Sequence, residues 1–270
     1  MTGQVNSLRK KPDIVVATPG RLLDLIRQKH VTLNQIEFLV LDEADRMLDM
    51  GFINDVRTIV SKIPTARQTL LFSATLSPEI SGLASGMLRN PVSIATTVAS
   101  SVAVKVDQKV LFVDQADKPA LLIDVLTSNG VQRALVFTRT KHRADRLTQH
   151  LCRHGISADA IHSNKSQNGR QRSLAAFDKG RITVLVATDI MARGIDVEGI
   201  SHVINYELPN DVQNYVHRVG RTARAGAKGI ALSFCDANEV VMLKGIEKLI
   251  RYKLPVEQRH TFRRSGRPTR

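Results

Sequence analysis

The sequence predicts two α/β domains, each built on a parallel sheet. Short runs rich in Val, Ile and Leu alternate with stretches of helical period, as parallel strands and their crossover helices do. The alternation pauses at "TTVASSVAVK", residues 96–105, which is small and polar enough to join two units, and then begins again. A length of 270 residues with 43% apolar content is sufficient for two packed cores.

The first domain is assigned to residues 1–98, with "DIVVATP", "EFLVLDEAD" and "QTLLFSAT" as three strands. Between them "GRLLDLIRQK" and "INDVRTIVSKI" carry apolar residues three and four apart, so each lays one stripe on the sheet. A linker occupies 99–105. The second domain, 106–254, has six strands: "QKVLFVD", "RALVFTRT", "DAIHS", "ITVLVATD", "SHVINYELP" and "GIALSFCD". Among its helices, "KHRADRLTQHLCRHG" closes on a glycine suited to a helix end, and "NEVVMLKGIEKLIRYK" has the period of a packing helix. Residues 255–270 carry five arginines in the last twelve positions and no apolar period, and are expected to form a disordered basic tail.

A formal charge of +14 points to a polyanionic partner, nucleic acid before a membrane surface. Cys152 and Cys235 belong to no C-x-x-C pair, so neither a disulfide framework nor a thiolate metal site is indicated. The amino-terminal stretch lacks the apolar segment of a signal peptide, and no run approaches the roughly 18 apolar residues of a membrane span. A cytoplasmic location without membrane contact is the expectation.

The chemistry gathers at the ends of apolar runs, where an open parallel sheet binds ligands. Asp42 and Glu43 end one run, with Asp45 just beyond. Such a pair suits Mg²⁺ held through water by one carboxylate, with the other positioning or deprotonating the water that attacks a γ-phosphate. An acidic cluster opening a helix also complements its dipole, and four letters alone do not choose between these uses. "ATPGR" (17–21) and "SAT" (73–75) end the neighbouring runs. Thr18 and the backbone at Gly20 can approach a phosphodiester, with Arg21 adding charge. In the second domain "ATDIMARGID" follows a buried run, and "HRVGRTARAG" spaces Arg218, Arg221 and Arg224 by three, which on a helix puts three guanidiniums near one face.

Taken in order, "TPGR", "DEAD", "SAT", "LVFTRT", "IHSNKSQNGRQRSLAAF", "ATDIMARGID" and "HRVGRTAR" resemble the motifs of DEAD-box RNA helicases, nearest to the bacterial RhlE-like branch, over about residues 12–235. The resemblance implies two RecA-like parallel-sheet domains, the first incomplete and the second complete, acting with ATP and Mg²⁺ on RNA. It implies that Asp42 and Glu43 serve the ion and the attacking water. Asp45, Ser73, Thr75 and His217 would couple hydrolysis to strand separation. Gly194 and Asp196 would bind ATP, Asp196 at the ribose. Arg221 and Arg224 would reach the γ-phosphate, with Arg224 as arginine finger, a contribution typically of about 10³–10⁵ in rate. Thr18, Gly20, Arg21, Thr140, Gln167, Arg170 and Thr188 would lie along the RNA sugar-phosphate backbone, a mode of recognition by shape rather than base.

Ser163 and Ala223 stand where the family often has glycine, and small effects are expected of both. No G-x-x-x-x-G-K-[ST] loop occurs in these residues. In family order that loop would precede "TPGR", so the chain is expected to be an amino-terminally truncated helicase core, weak or inactive as an ATPase by itself, with a marginally stable first lobe and a second that folds independently. A nonenzymatic RNA-binding remnant is the alternative, and a DNA-directed helicase or nuclease subunit the third class. The tail is open to recruiting a ribosome, an RNA-decay complex or nothing.

Overall fold

The computed structural model describes residues 2–95, 106–128, 130–192, 197–223, 228–258 and 262. The chain divides into two compact units, Met1–Ala95 and Thr96–Arg270. The residues assigned above to a linker, 99–105, lie outside those described.

The first unit opens with helix α1 (Thr2–Arg9), which the sequence reading did not anticipate, and continues with α2 (Pro19–Arg27). Strand β1 (Phe38–Leu41) leads to α3 (Ala44–Asp49) and α4 (Ile53–Val60); β2 (Gln68–Leu71) leads to α5 (Pro78–Met87). The two strands pair in parallel, Phe38 opposite Gln68 through Leu41 opposite Leu71. Helix α2 starts where Pro19 supplies a preset φ and no amide hydrogen to satisfy. Its Leu23 packs with Leu33, Ile59 and Ile63, while Leu41, Val56, Leu83 and Met87 form a second small cluster.

One expected strand is absent. "DIVVATP" is irregular, with Ile14 81% and Val16 94% exposed. An apolar run becomes a strand only where its amides and carbonyls find a ladder, and the only pairing in this unit among the described residues is β1 with β2.

The second unit carries all six expected strands: β3 (Val106–Phe112), β4 (Ala134–Phe137), β5 (Ala158–Ile161), β6 (Val184–Ala187), β7 (His202–Asn205) and β8 (Gly229–Cys235). They form one parallel sheet in the order β3-β8-β7-β4-β6-β5. Helices α6 (Lys118–Thr127), α7 (Lys141–Arg153), α8 (Gln167–Asp178), α9 (Asp189–Ala192), α10 (Val212–Val219) and α11 (Val240–Ile250) connect or cover them. One apolar cluster includes Leu135, Phe137, Phe177, Leu185 and Ile246; another includes Leu121, Val136, Leu147, Val186 and Phe234. Alternate residues of β4 and β6 therefore feed opposite clusters, so the sheet is covered on both faces, as parallel sheets generally are. Helix α7 does end ahead of a glycine, Gly155, at φ +77.

The tail needs correction at its start. The Val110 amide donates to the Pro255 carbonyl and the Glu257 amide to the Val110 carbonyl, both at 2.9 Å, forming a parallel bridge against β3. Glu257 also meets Lys109 Nζ at 3.2 Å. The chain is thus ordered through this bridge, because β3 offers an open edge for it. Most residues beyond lie outside those described, although Phe262 packs against the second apolar cluster.

Candidate nucleotide and RNA site

Parallel pairing brings the carboxyl ends of β1 and β2 to one edge. Asp42 and Glu43 follow β1 and are exposed, while Phe72 and Ser73 follow β2. The two ends are stitched together: the Ala44 amide donates to the Phe72 carbonyl at 3.0 Å, and the Asp45 amide to Ser73 Oγ at 3.3 Å. Ser73 Oγ in turn donates to the Thr75 carbonyl at 2.7 Å, and Thr75 Oγ1 to Asp45 Oδ2 at 3.2 Å. Asp45 is 7% exposed, so this ring of contacts is largely shielded from water.

Glu43 sits at the N-cap of α3 with φ 51 and ψ 51, a left-handed conformation that costs a non-glycine residue about 1–2 kcal/mol. Its side chain meets Arg46 Nη1 at 2.8 Å, a partner the sequence reading did not foresee. The Glu43 amide donates to Asp42 Oδ1 at 2.9 Å, and no described hydrogen bond engages Asp42 Oδ2. Two exposed hard-oxygen groups of this kind fit a hydrated Mg²⁺, which takes one or two carboxylates and fills its shell with water and phosphate oxygens. Among the described residues no group of three or more His, Cys, Asp or Glu is arranged to hold a metal ion.

Thr18 is the N-cap of α2 and Gly20 lies in its first turn. A Cβ on Gly20 would lie 3.8 Å from Asp55 Oδ2, ordinary contact, so close packing does not require glycine there. Arg21 donates from Nε to Gln4 Oε1 at 2.9 Å and pairs with Asp24, so its charge is partly engaged within the unit.

In the second unit the carboxyl edge collects Thr138, Arg139 and Thr140 after β4, His162 and Ser163 after β5, and Thr188 and Asp189 after β6. Thr140 is the N-cap of α7, accepting from the Arg143 amide at 3.3 Å. Gln167 begins α8, and Arg170 one turn later reaches Met191 Sδ at 3.2 Å from Nη1. Arg170 Nε is buried with no hydrogen-bond partner among the described residues, an uncommon state for a charged donor. His217 lies in the last turn of α10, its carbonyl accepting from Arg221 Nε at 3.1 Å. Gly194, Asp196 and Arg224 lie outside the described residues.

The arginine series does not share one helix face. Helix α10 ends at Val219, so Arg221 lies beyond it. Arg218 is 2% exposed and turned inward: it binds Asp189 through Nε at 2.5 Å and Nη2 at 2.9 Å, and donates from Nη1 to Asn205 Oδ1 at 3.1 Å and the Glu207 carbonyl at 2.6 Å. Its guanidinium lies 4.9 Å from the Phe137 ring centroid. With its donors so engaged, Arg218 braces the edge instead of meeting phosphate.

Beneath that edge runs an ionic cluster that the sequence reading missed. Glu239, 0% exposed, binds Lys118 Nζ at 2.5 Å and the Leu208 amide at 3.0 Å, and pairs with Arg139. Glu207 takes the Arg139 amide at 2.9 Å and pairs with Arg143. Asp236 lies 3.0 Å from the buried Lys118; burial pushes its proton affinity up, but the hydrogen bond and charge of Lys118 outweigh this and leave its pKa lowered. A sequence signal existed: "DANE", Asp236 to Glu239, is a capping box, and both halves of it form.

The described helices include none long and apolar enough to cross a membrane. Two family descriptions match the chain, "DEAD/DEAH box helicase" over residues 1–83 and "Helicase conserved C-terminal domain" over residues 117–226. The ATP-dependent RNA helicase CshA of Listeria monocytogenes is 41% identical over 259 residues, 96% of this chain and 50% of that protein. The chain thus spans half the length of that relative. Among solved structures, S. cerevisiae Dbp5 bound to RNA and ADP BeF3 has 32% identity and a TM-score of 0.80, over 90% of this chain and 64% of that one. A DEAD box protein of the hyperthermophile Methanococcus jannaschii has 38% identity and a TM-score of 0.56, over 91% and 66%. For E. coli SrmB, a DEAD-box protein bound to regulator of ribonuclease activity A, the values are 33% and 0.57, over 62% and 99%.

Proposed function

The chain belongs to the DEAD-box helicase family, and on that premise we propose that its two units serve ATP-dependent opening of short RNA duplexes or remodelling of RNA-protein contacts. The observation that carries this reading is the ring joining Asp45, Ser73 and Thr75. It ties the strand end bearing the two exposed carboxylates to the neighbouring strand end, so a shift at one moves the other.

Asp42 would hold hydrated Mg²⁺, which supplies charge neutralisation on the phosphates when bound. Glu43 would orient or deprotonate the attacking water, releasing Arg46 to do so. Arg221 and Arg224 would neutralise charge on the transferring phosphoryl group, with Gly194 and Asp196 contacting the nucleotide. Thr18, Gly20, Arg21, Thr140, Gln167, Arg170 and Thr188 would follow the RNA backbone. Arg170, one turn into α8, carries a guanidinium whose Nε has no hydrogen-bond partner among the described residues, and its charge would favour the phosphates of that backbone. His217 would work with the Asp45 ring in coupling. The domain assignment of 1–98, 99–105 and 106–254 and a cytoplasmic location belong to the same reading.

Fluorescence anisotropy with labelled single-stranded RNA tests it. Binding is expected to saturate, to be insensitive to base sequence, and to weaken steeply with salt. Arg170→Ala should weaken it for every sequence alike. Binding that ignores salt, or that is unchanged in Arg170→Ala, would remove the RNA assignment. With no phosphate-cradling loop among the 270 residues, ATP turnover by this chain alone is expected to be weak or absent, and robust RNA-stimulated turnover would overturn that part.

A further inference from the structure

Away from the carboxyl edge, the end of α7 presents two histidines one helical turn apart. His150 is half-buried and His154, the C-cap, is exposed; their ring centroids are 4.5 Å apart with planes at 51°. Residues four apart share a helix face, so both rings project to the same side. The helix turns Ala144, Leu147 and Leu151 into the core, which leaves the pair at the margin of its outer surface.

Geometry fixes one tautomer. Nδ1 of His154 lies 2.9 Å from the His150 carbonyl oxygen. A carbonyl can only accept, so Nδ1 carries the hydrogen and Nε2 retains its lone pair. Metal-bound histidines are held in this manner, with the distal ring nitrogen donating to a carbonyl or carboxylate. The position adds a second attraction, because the last carbonyls of a helix and its dipole favour positive charge.

We propose that His150 and His154 form a two-imidazole site for a nitrogen-preferring divalent transition metal such as Zn²⁺ or Ni²⁺, with water completing its shell. Cys152 takes no part: it lies two residues from each histidine, on another side of the helix, with Sγ 3.5 Å from the Ala158 carbonyl. With two protein ligands the ion is exchangeable, unlike the four-ligand structural zinc sites. Its effect is to clip the final turn of α7 ahead of the Gly155 turn that leads into β5, so bound metal stabilises the second unit by mass action.

The untagged chain, stripped with chelator, should be titrated with ZnCl₂ and separately with NiCl₂ by calorimetry. One saturable equivalent is expected, weakened at least about tenfold in His154→Ala and in His150→Ala. His142→Ala, which removes an exposed histidine from the other end of the same helix, should bind as the parent does. Metal should raise the midpoint of thermal unfolding of the parent and of His142→Ala, and leave that of His154→Ala unmoved. Because His154 is an exposed cap, its variant reports binding even if His150→Ala lowers stability. The absence of a saturable equivalent in the parent, or equal loss in all three variants, overturns the site as adventitious surface binding.

Discussion

Strand β1 reads Phe-Leu-Val-Leu and strand β4 reads Ala-Leu-Val-Phe, nearly the same letters, yet every residue of β4 is buried whereas Phe38 is 63% and Val40 56% exposed. Parallel strands are apolar along their whole length because both faces are normally covered. In the second unit that covering is present and the runs become core. In the first unit Phe72, which follows β2, is also 53% exposed, and the buried clusters are small. Apolar composition therefore reports the fitness of a run to be a central strand, while neighbours decide whether it is one. Polar chemistry divides in part the same way: Asp42 and Glu43 after β1 are exposed, whereas Glu207 and Glu239 near the edge of the larger sheet are buried.

The sharpest way to break this contrast is to neutralise one carboxylate of each kind. Glu239→Gln removes the charge that Lys118 and Arg139 share, although Lys118 keeps Asp236 and Arg139 keeps Glu207, and should cost about 1.5–3 kcal/mol through its weakened charge-assisted hydrogen bonds. Glu43→Gln removes half of an exposed pair, worth about 0–1 kcal/mol, and should leave folding nearly unchanged while removing any water-orienting role. The readouts separate cleanly, since the three tyrosines, Tyr206, Tyr215 and Tyr252, all lie in the second unit and there is no tryptophan. Tyrosine fluorescence in urea follows Glu239→Gln, and far-ultraviolet circular dichroism follows Glu43→Gln. Comparable losses in the two variants would mean that burial does not set the difference between the units.

Most of the second unit was legible because its signals are local and redundant: six apolar runs, each followed by a helical period, with polar residues where the strands end. The failed strand at "DIVVATP" has the same local signal, and what it lacks is a ladder partner, which no window of sequence contains. Arg218 was misread for a related reason. Spacing by three placed it with Arg221, but the helix stops between them, and Asp189 and Asn205, which capture its guanidinium, are distant in sequence. The joining of Asp45 to Ser73 and Thr75 was only half visible, as two motifs ending neighbouring runs. Parallel pairing of β1 with β2 is what converts that adjacency into hydrogen bonds.

Mild acid should strain the second unit through His202. Burial lowers its pKa below the usual 6.5, so the folded chain holds the neutral ring and the unfolded chain takes up a proton more readily. Its contribution is complete above pH 6.5 and is lost as pH falls from there toward the folded value. Urea midpoints by tyrosine fluorescence should therefore fall between pH 7.5 and 5.5, and His202→Gln should flatten that slope. An equal slope in the variant would show that another group carries the acid sensitivity.

The smallest expected effect concerns Ala223, which adopts φ +55 just after the α10 segment. The chain is closely packed there: a Cβ on Gly229 would clash with Thr222 Oγ1 and fall 2.7 Å from the Ala223 amide nitrogen. A left-handed alanine costs about 1–2 kcal/mol. Replacing it by glycine relieves that cost, but the unfolded chain gains freedom worth about 0.4–1 kcal/mol, and a half-buried methyl worth less than about 0.8 kcal/mol is lost. Ala223→Gly should therefore stabilise the second unit only slightly, by about 0.5 kcal/mol. A measurable loss instead would show that the methyl's contact with the apolar cluster outweighs the backbone strain, and that even this turn is governed by burial.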